Sequence, residues 1–188
     1  MVSRPLSVAE PVAQIIAAYG RQFLLRPPEG GPPLNAVARG RRSDCVVGDR
    51  VTYRKLNEQQ AVIEEIQPRT NRVTRSDNFR SKTIAANIDQ AGIVVSGYPR
   101  FNEALLVRIL IALESEAIPC LLIVTKQDLD VSREAMAARQ EVYRCLDYPV
   151  VTTAAKAAPA SLDPLTALLR SKRTLLLGES GMGKSTLI

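Results

Sequence analysis

The chain opens with short apolar-rich segments broken by turn residues, then changes to longer apolar runs alternating with stretches of helical period. Gln14–Tyr19 and Gln22–Leu25 flank Gly20, and Pro27–Pro33 is a proline- and glycine-rich loop. Asn35–Arg39, Asp49–Tyr53 and Ala61–Ile66 follow, separated by Gly40, Gly48 and Asn57. Five strands packed this closely predict a small closed β-barrel of the OB type, a common binder of single-stranded nucleic acid. Other small barrels fit the pattern almost as well. Arg69–Lys82 is polar and basic, follows Pro68, and reads as a linker.

Beyond it the pattern is that of an α/β protein. Gly92–Gly97 and Cys120–Val124 are buried strands, and Pro149–Thr152 and Thr174–Leu177 are two more. Between them Asn102 caps a helix in which Leu105, Leu106, Ile109, Leu110 and Leu113 recur at helical spacing. Ser132 starts a second helix running to about Leu146, and Asp163-Pro164 reads as a cap followed by proline at the first helical position. Alternating strands and helices predict a parallel sheet covered on both faces, with ligands at the carboxyl ends of its strands.

Composition narrows this picture. No apolar run reaches the roughly 18–20 residues of a membrane span, and the first residues lack the apolar stretch of a secretory signal. The chain has 3 cysteines, far apart, and no histidine. That combination points to a reducing cytoplasm and gives no zinc site within these residues. The net charge is +6. Residues 1–82 hold 14 Lys/Arg against 8 Asp/Glu, and residues 83–188 hold 11 against 11. The excess therefore lies in the barrel half, either as a module meeting phosphate backbones or as a solvated basic face. Stacking aromatics are few there (Tyr19, Phe23, Tyr53), so nucleic-acid contact is expected to lean on arginines: Arg39, Arg41, Arg42, Arg72 and Arg75.

Three segments carry chemistry. Gly178-Glu179-Ser180-Gly181-Met182-Gly183-Lys184-Ser185 fits G-x-x-x-x-G-K-[ST] and follows the strand Thr174–Leu177. Its glycines let consecutive backbone N–H groups surround phosphates, Lys184 reaches the β and γ phosphates, the Ser185 hydroxyl ligates Mg²⁺, and Thr186 lies near the α phosphate. The following helix adds its positive end. Thr125-Lys126-Gln127-Asp128 follows a buried strand in the manner of [NT]-K-x-D. Asp128 can accept two hydrogen bonds from guanine N1 and N2, while the Lys126 stem lies along the base. A plain helix start capped by Asp128 is the alternative. Thr152-Thr153-Ala154-Ala155-Lys156 is similar to the S-A-K segment whose backbone N–H meets guanine O6, here from Ala155; a simple strand-to-helix loop explains it nearly as well. The order is rotated, with the base-reading motif ahead of the phosphate loop and only three residues after Ser185.

Taken in order, these segments resemble the circularly permuted GTPases of the RsgA/YjeQ family. Further carriers are Gly48-Asp-Arg-Val51, Arg69-Thr-Asn-Arg-Val-Thr-Arg75, Ile84–Gln90 and Pro99-Arg-Phe-Asn102. The resemblance implies an OB-fold meeting RNA and the ribosome over residues 1–75. It implies a permuted P-loop GTPase domain over 76–188, truncated after the phosphate loop, and a zinc-binding domain expected beyond Ile188. It further implies a monomeric, cytoplasmic factor that binds the 30S subunit and its 16S rRNA in late maturation, using GTP/GDP with magnesium and hydrolysing GTP when the ribosome stimulates it. Thr125 and Ala154 depart from the more usual Asn and Ser. The D-x-x-G segment expected after the phosphate loop is missing, so Lys184 is the catalytic candidate here and this chain alone is expected to hydrolyse poorly. An RNA-binding assembly scaffold with a vestigial nucleotide site is the alternative from another class, and an adenine-nucleotide enzyme is a third.

Overall fold

The structure, a computed structural model, describes residues 11–40, 44–76 and 81–188. The chain divides into two compact units, one ending at Asn87 and the other running Ile88–Ile188.

The first unit is built on five strands, β1 (Val12–Tyr19), β2 (Gln22–Arg26), β3 (Leu34–Ala38), β4 (Arg50–Lys55) and β5 (Gln60–Ile66). They close in the order β1-β2-β3-β5-β4, with β3 and β5 parallel and the other pairs antiparallel. That is the five-stranded OB arrangement. Alternate residues point inward, so Ala13, Ile15, Phe23, Leu25, Val51, Tyr53 and Ile63 form one core. Each large aliphatic buried there is worth about 1.5–3 kcal/mol of hydrophobic stabilisation. Phe23 and Tyr53 are therefore core residues, not stacking platforms; of the three aromatics, Tyr19 alone is exposed. Burial also raises the Tyr53 phenol above its ordinary pKa, with Glu29 adding to the effect.

The segment read as a linker is instead paired. β6 (Arg72–Ser76) and β7 (Ser81–Ala86) run antiparallel, and Val47 bridges to Ala85 beside the barrel. A boundary between residues 75 and 76 falls inside β6; the units part after Asn87. Three of the motif-like segments meet where β7 ends. The Asp49 carboxylate is fully buried and takes bonds from Arg69 Nε (2.7 Å), Arg69 Nη2 (2.9 Å) and the Val46 N–H (2.9 Å). Asn87 accepts from the Thr70 N–H and hydroxyl and donates to the Gly48 carbonyl. A Cβ on Gly48, whose φ is +93°, would lie 1.9 Å from the Ala86 carbonyl oxygen, so only glycine fits. These family-like residues thus hold the hairpin to the barrel, a structural task.

The second unit is a four-stranded parallel sheet made of β8 (Gln90–Val95), β9 (Cys120–Val124), β10 (Val150–Thr152) and β11 (Thr174–Leu177), ordered β10-β9-β8-β11. Every residue of β8 is buried, as expected for a central parallel strand. Helix α1 (Glu103–Ser115) is capped by the Asn102 side chain on the Leu105 N–H and buries Leu106, Leu110 and Leu113. Helix α2 (Asp130–Cys145) begins two residues before Ser132, after Leu129. A 3₁₀ turn (Pro159–Leu162) leads into α3 (Asp163–Leu169), so Asp163 lies in the first turn and does not cap it. A last short helix, α4 (Lys184–Leu187), ends the chain.

Candidate functional site

Each strand of a parallel sheet ends with its carbonyl edge toward the same side, and side chains placed just after it share one crevice. Here Thr125 follows β9, Thr153 follows β10 and Gly178 follows β11. Thr125 and Thr153, with Lys126, Asp128, Ala155, Ser180, Gly181 and residues 183–186, surround a cavity of about 580 Å³. That is within the roughly 300–1,000 Å³ typical of small-molecule sites. Three segments separated by up to sixty residues of chain therefore converge on one space.

The glycine loop is shaped by contacts that side chains forbid. Gly178 has a φ of +144°, and a Cβ there would sit 2.4 Å from the Val94 carbonyl oxygen. Met182 is the loop's buried anchor, with its sulfur 3.3 Å from the Ser96 hydroxyl. Glu179 turns away from the cavity, accepting the Asn102 N–H at 2.7 Å just before α1. Lys184 Nζ donates to the loop's own carbonyls at Gly178 (2.9 Å) and Glu179 (2.6 Å). The ammonium is thus held by the first carbonyls of its own loop, on a residue that lines the cavity.

The second segment is fixed just as closely. The Thr125 hydroxyl donates to the Met182 carbonyl at 2.6 Å, and Thr125 is buried. Lys126 has a φ of +57°, a left-handed conformation that costs a non-glycine residue about 1 kcal/mol or more and recurs at ligand sites. Its Nζ donates to the Tyr98 carbonyl at 3.0 Å. The Gln127 N–H donates to the Thr153 carbonyl, tying this loop to the end of β10. Asp128 is exposed beside the cavity. Ser132, read as a helix start, is fully buried instead: it accepts the Gly97 N–H at 2.9 Å and so braces the loop after β8.

The Ser185 hydroxyl lines the same cavity as Lys184. Among the described residues no group of three or more His, Cys, Asp or Glu could hold a metal by itself. One hydroxyl suits Mg²⁺, which keeps most of its waters and takes its other ligands from phosphates. Arg39 is exposed and pairs with Glu64 at 2.9 Å, and Arg54 shares that carboxylate. Arg72 and Arg75 are exposed on β6; Arg41 and Arg42 lie outside the described residues. Tyr98 and Thr153 line the cavity without having been singled out by sequence. For Thr153 a signal was present, since it follows an apolar strand just as Thr125 does.

An OB barrel, then a parallel sheet in which the Thr125–Asp128 loop precedes the glycine loop in the chain, is the architecture of a circularly permuted P-loop GTPase. The family model for the RsgA GTPase matches residues 66–188, and the chain belongs to that family. It is 43% identical over 175 residues to the small ribosomal subunit biogenesis GTPase RsgA of Paraburkholderia phytofirmans, covering 93% of this chain and 55% of that protein. The protein of the same name from Burkholderia pseudomallei is 42% identical over 176 residues, with 93% and 56% covered. Among solved structures, YjeQ from Thermotoga maritima aligns with a TM-score of 0.74 at 25% identity, over 95% of this chain and 63% of that one. YloQ, a circularly permuted GTPase, aligns with a TM-score of 0.67 at 28% identity, over 98% and 65%. The chain spans about half the length of the curated relatives it matches.

Proposed function

We propose that the protein carrying this chain binds GTP with Mg²⁺ in the cavity at the sheet's carboxyl edge and hydrolyses it in the service of small-ribosomal-subunit biogenesis. The observation that carries the reading is the convergence of Thr125, Lys126, Asp128, Ala155 and the glycine-loop residues Ser180, Gly181 and 183–186 around one cavity. In this assignment the loop amides and Lys184 neutralise the phosphates, Ser185 holds the ion, and Asp128 accepts from the guanine edge with Lys126 beside the base. Magnesium, held there by the Ser185 hydroxyl, would supply charge neutralisation to the phosphates. Water attack on the γ phosphate is left to groups outside this chain. Zinc enters only as a metal bound by a further C-terminal segment of the parent protein.

The partner in this reading is the 30S subunit and its 16S rRNA, met in late maturation by a monomeric cytoplasmic factor, with the ribosome stimulating hydrolysis. The exposed arginines of the barrel half, Arg39, Arg72 and Arg75 with Arg41 and Arg42, are the proposed RNA contacts. Among the described residues no helix is long and apolar enough to cross a membrane.

Nucleotide binding to the intact protein tests the reading. GTP is expected to bind at least a hundredfold more tightly than ATP, and Lys184→Ala to abolish binding of both. Adding 30S subunits is expected to raise the hydrolysis rate. Equal affinity for GTP and ATP would sink the guanine assignment, and GTP binding without any hydrolysis would favour the scaffold reading.

A further inference from the structure

Thr153 is 1% exposed and lines the cavity, yet its hydroxyl has no hydrogen-bond partner. Its backbone is fully committed. The Thr153 N–H donates to the Val124 carbonyl at 2.8 Å, and its carbonyl accepts the Gln127 N–H at 3.1 Å. The residue is therefore pinned between the end of β9 and the Thr125–Asp128 loop, two positions before Ala155, and only the hydroxyl is unassigned. A buried unpaired hydroxyl opposes folding, and valine would fill the same volume without that penalty. Its location is at the base end of the cavity, since its backbone partner Gln127 lies within the base-reading segment and the phosphate loop forms the other wall. Ala154, the next residue, offers no hydroxyl of its own.

We propose that Thr153 is a specificity-determining residue, its hydroxyl acquiring its hydrogen-bond partner from the edge of a guanine base seated in the cavity. The inference rests on the guanine-nucleotide reading above. Guanine offers acceptors at O6 and N7 and donors at N1 and N2, and a hydroxyl can serve either kind. Rotation of the hydroxyl hydrogen about the C–O bond switches it between donor and acceptor with no change of χ1.

The test is GDP and ADP binding to the full-length protein and to its Thr153→Val and Thr153→Ser variants, with thermal unfolding of each without nucleotide. Thr153→Val is expected to unfold at the same or a higher temperature, to bind GDP about tenfold more weakly, and to leave ADP affinity unchanged. Thr153→Ser, which keeps the hydroxyl, is expected to hold the GDP-to-ADP ratio of the parent. If the parent selects GDP and Thr153→Val keeps the same ratio, the inference fails while the guanine reading stands. A lowered unfolding temperature with weaker binding of both nucleotides assigns Thr153 to packing and also overturns it. If the parent itself shows no preference for GDP, the guanine reading falls and takes this inference with it.

Discussion

The Thr125 hydroxyl donates to the Met182 carbonyl at 2.6 Å, so one hydrogen bond joins the loop after β9 to the glycine loop after β11. Both residues are buried, with Met182 2% exposed, and the bond lies out of water. A residue of this kind sets the distance between two loops that lie 57 residues apart in sequence. Threonine, in place of the more usual asparagine, performs that tie with a hydroxyl.

Thr125→Val keeps the shape and removes the donor, leaving the Met182 carbonyl unpaired. Loss of a buried partner costs about 1–3 kcal/mol. Guanine-nucleotide affinity is expected to fall about tenfold, with a lower unfolding temperature, whereas Thr125→Ser holds both. Isothermal titration of the intact variants checks this, and unchanged affinity in Thr125→Val would show that the two loops are set independently.

Asp128→Asn turns a carboxylate that accepts two hydrogen bonds into an amide with one acceptor and one donor group. Guanine presents only donors at N1 and N2, while xanthine carries an oxygen in place of the 2-amino group. The variant is expected to lose at least tenfold in GTP affinity and to gain for xanthosine triphosphate. Competition between the two nucleotides measures the switch, and retained GTP selectivity would remove Asp128 from base reading.

The barrel was legible because its strands alternate about a single core: Ile15, Phe23, Val51, Tyr53 and Ile63 each recur on the inward face. The parallel sheet was legible because β8 after Gln90 and the whole of β9 are apolar runs. The β6–β7 pair was not. Of β6, Val73 is buried while Arg72, Thr74 and Arg75 are exposed, so no apolar face announces a strand. Its position is set by backbone pairing and by the Asp49, Arg69 and Asn87 bonds, which join residues far apart in sequence. Ser132 misled for a similar reason. A serine near a helix start suggests a cap, but its hydroxyl serves the Gly97 N–H, a partner 35 residues away. The site segments were legible as motifs; that Thr153 shares their cavity depended on strand order, which periodicity does not encode.

Arg69→Ala tests the structural network directly. It leaves the fully buried Asp49 carboxylate with the Val46 N–H but no counter-charge. Hydrogen bonding to Asp49 also holds the Arg69 guanidinium above its ordinary pKa. Breaking a buried pair from one side costs roughly 3–5 kcal/mol, and Arg69's partial exposure places this case at the lower end. Urea unfolding is expected to show a loss of about 3 kcal/mol, with Arg69→Lys recovering part of it. A loss near zero would mean that solvent reaches Asp49.

Asp89 and Arg173 fix the starts of β8 and β11 to one another. Arg173 gives the carboxylate its side chain, with Nη2 at 2.6 Å from Oδ1, and its backbone N–H at 2.7 Å from Oδ2. These bonds lower the Asp89 pKa from 3.8 to about 2, the Arg173 side chain being the larger cause. Because the folded value lies below the unfolded one, the pair's contribution is fully present above about pH 4 and is lost as pH falls toward 2. Both side chains are more than a third exposed, at 37% and 48%, so solvent screening holds that contribution to about 1 kcal/mol or less. Asp89→Asn is expected to be less stable than the parent by that amount at pH 6 and to converge on it near pH 2. Urea unfolding of both proteins across pH 2–6 reads the difference. No gap at any pH would mean that Asp89 acts through its acceptor role alone, since an amide oxygen can still take the Arg173 N–H, and a gap that stayed constant would mean that the difference does not come from ionisation of the carboxylate.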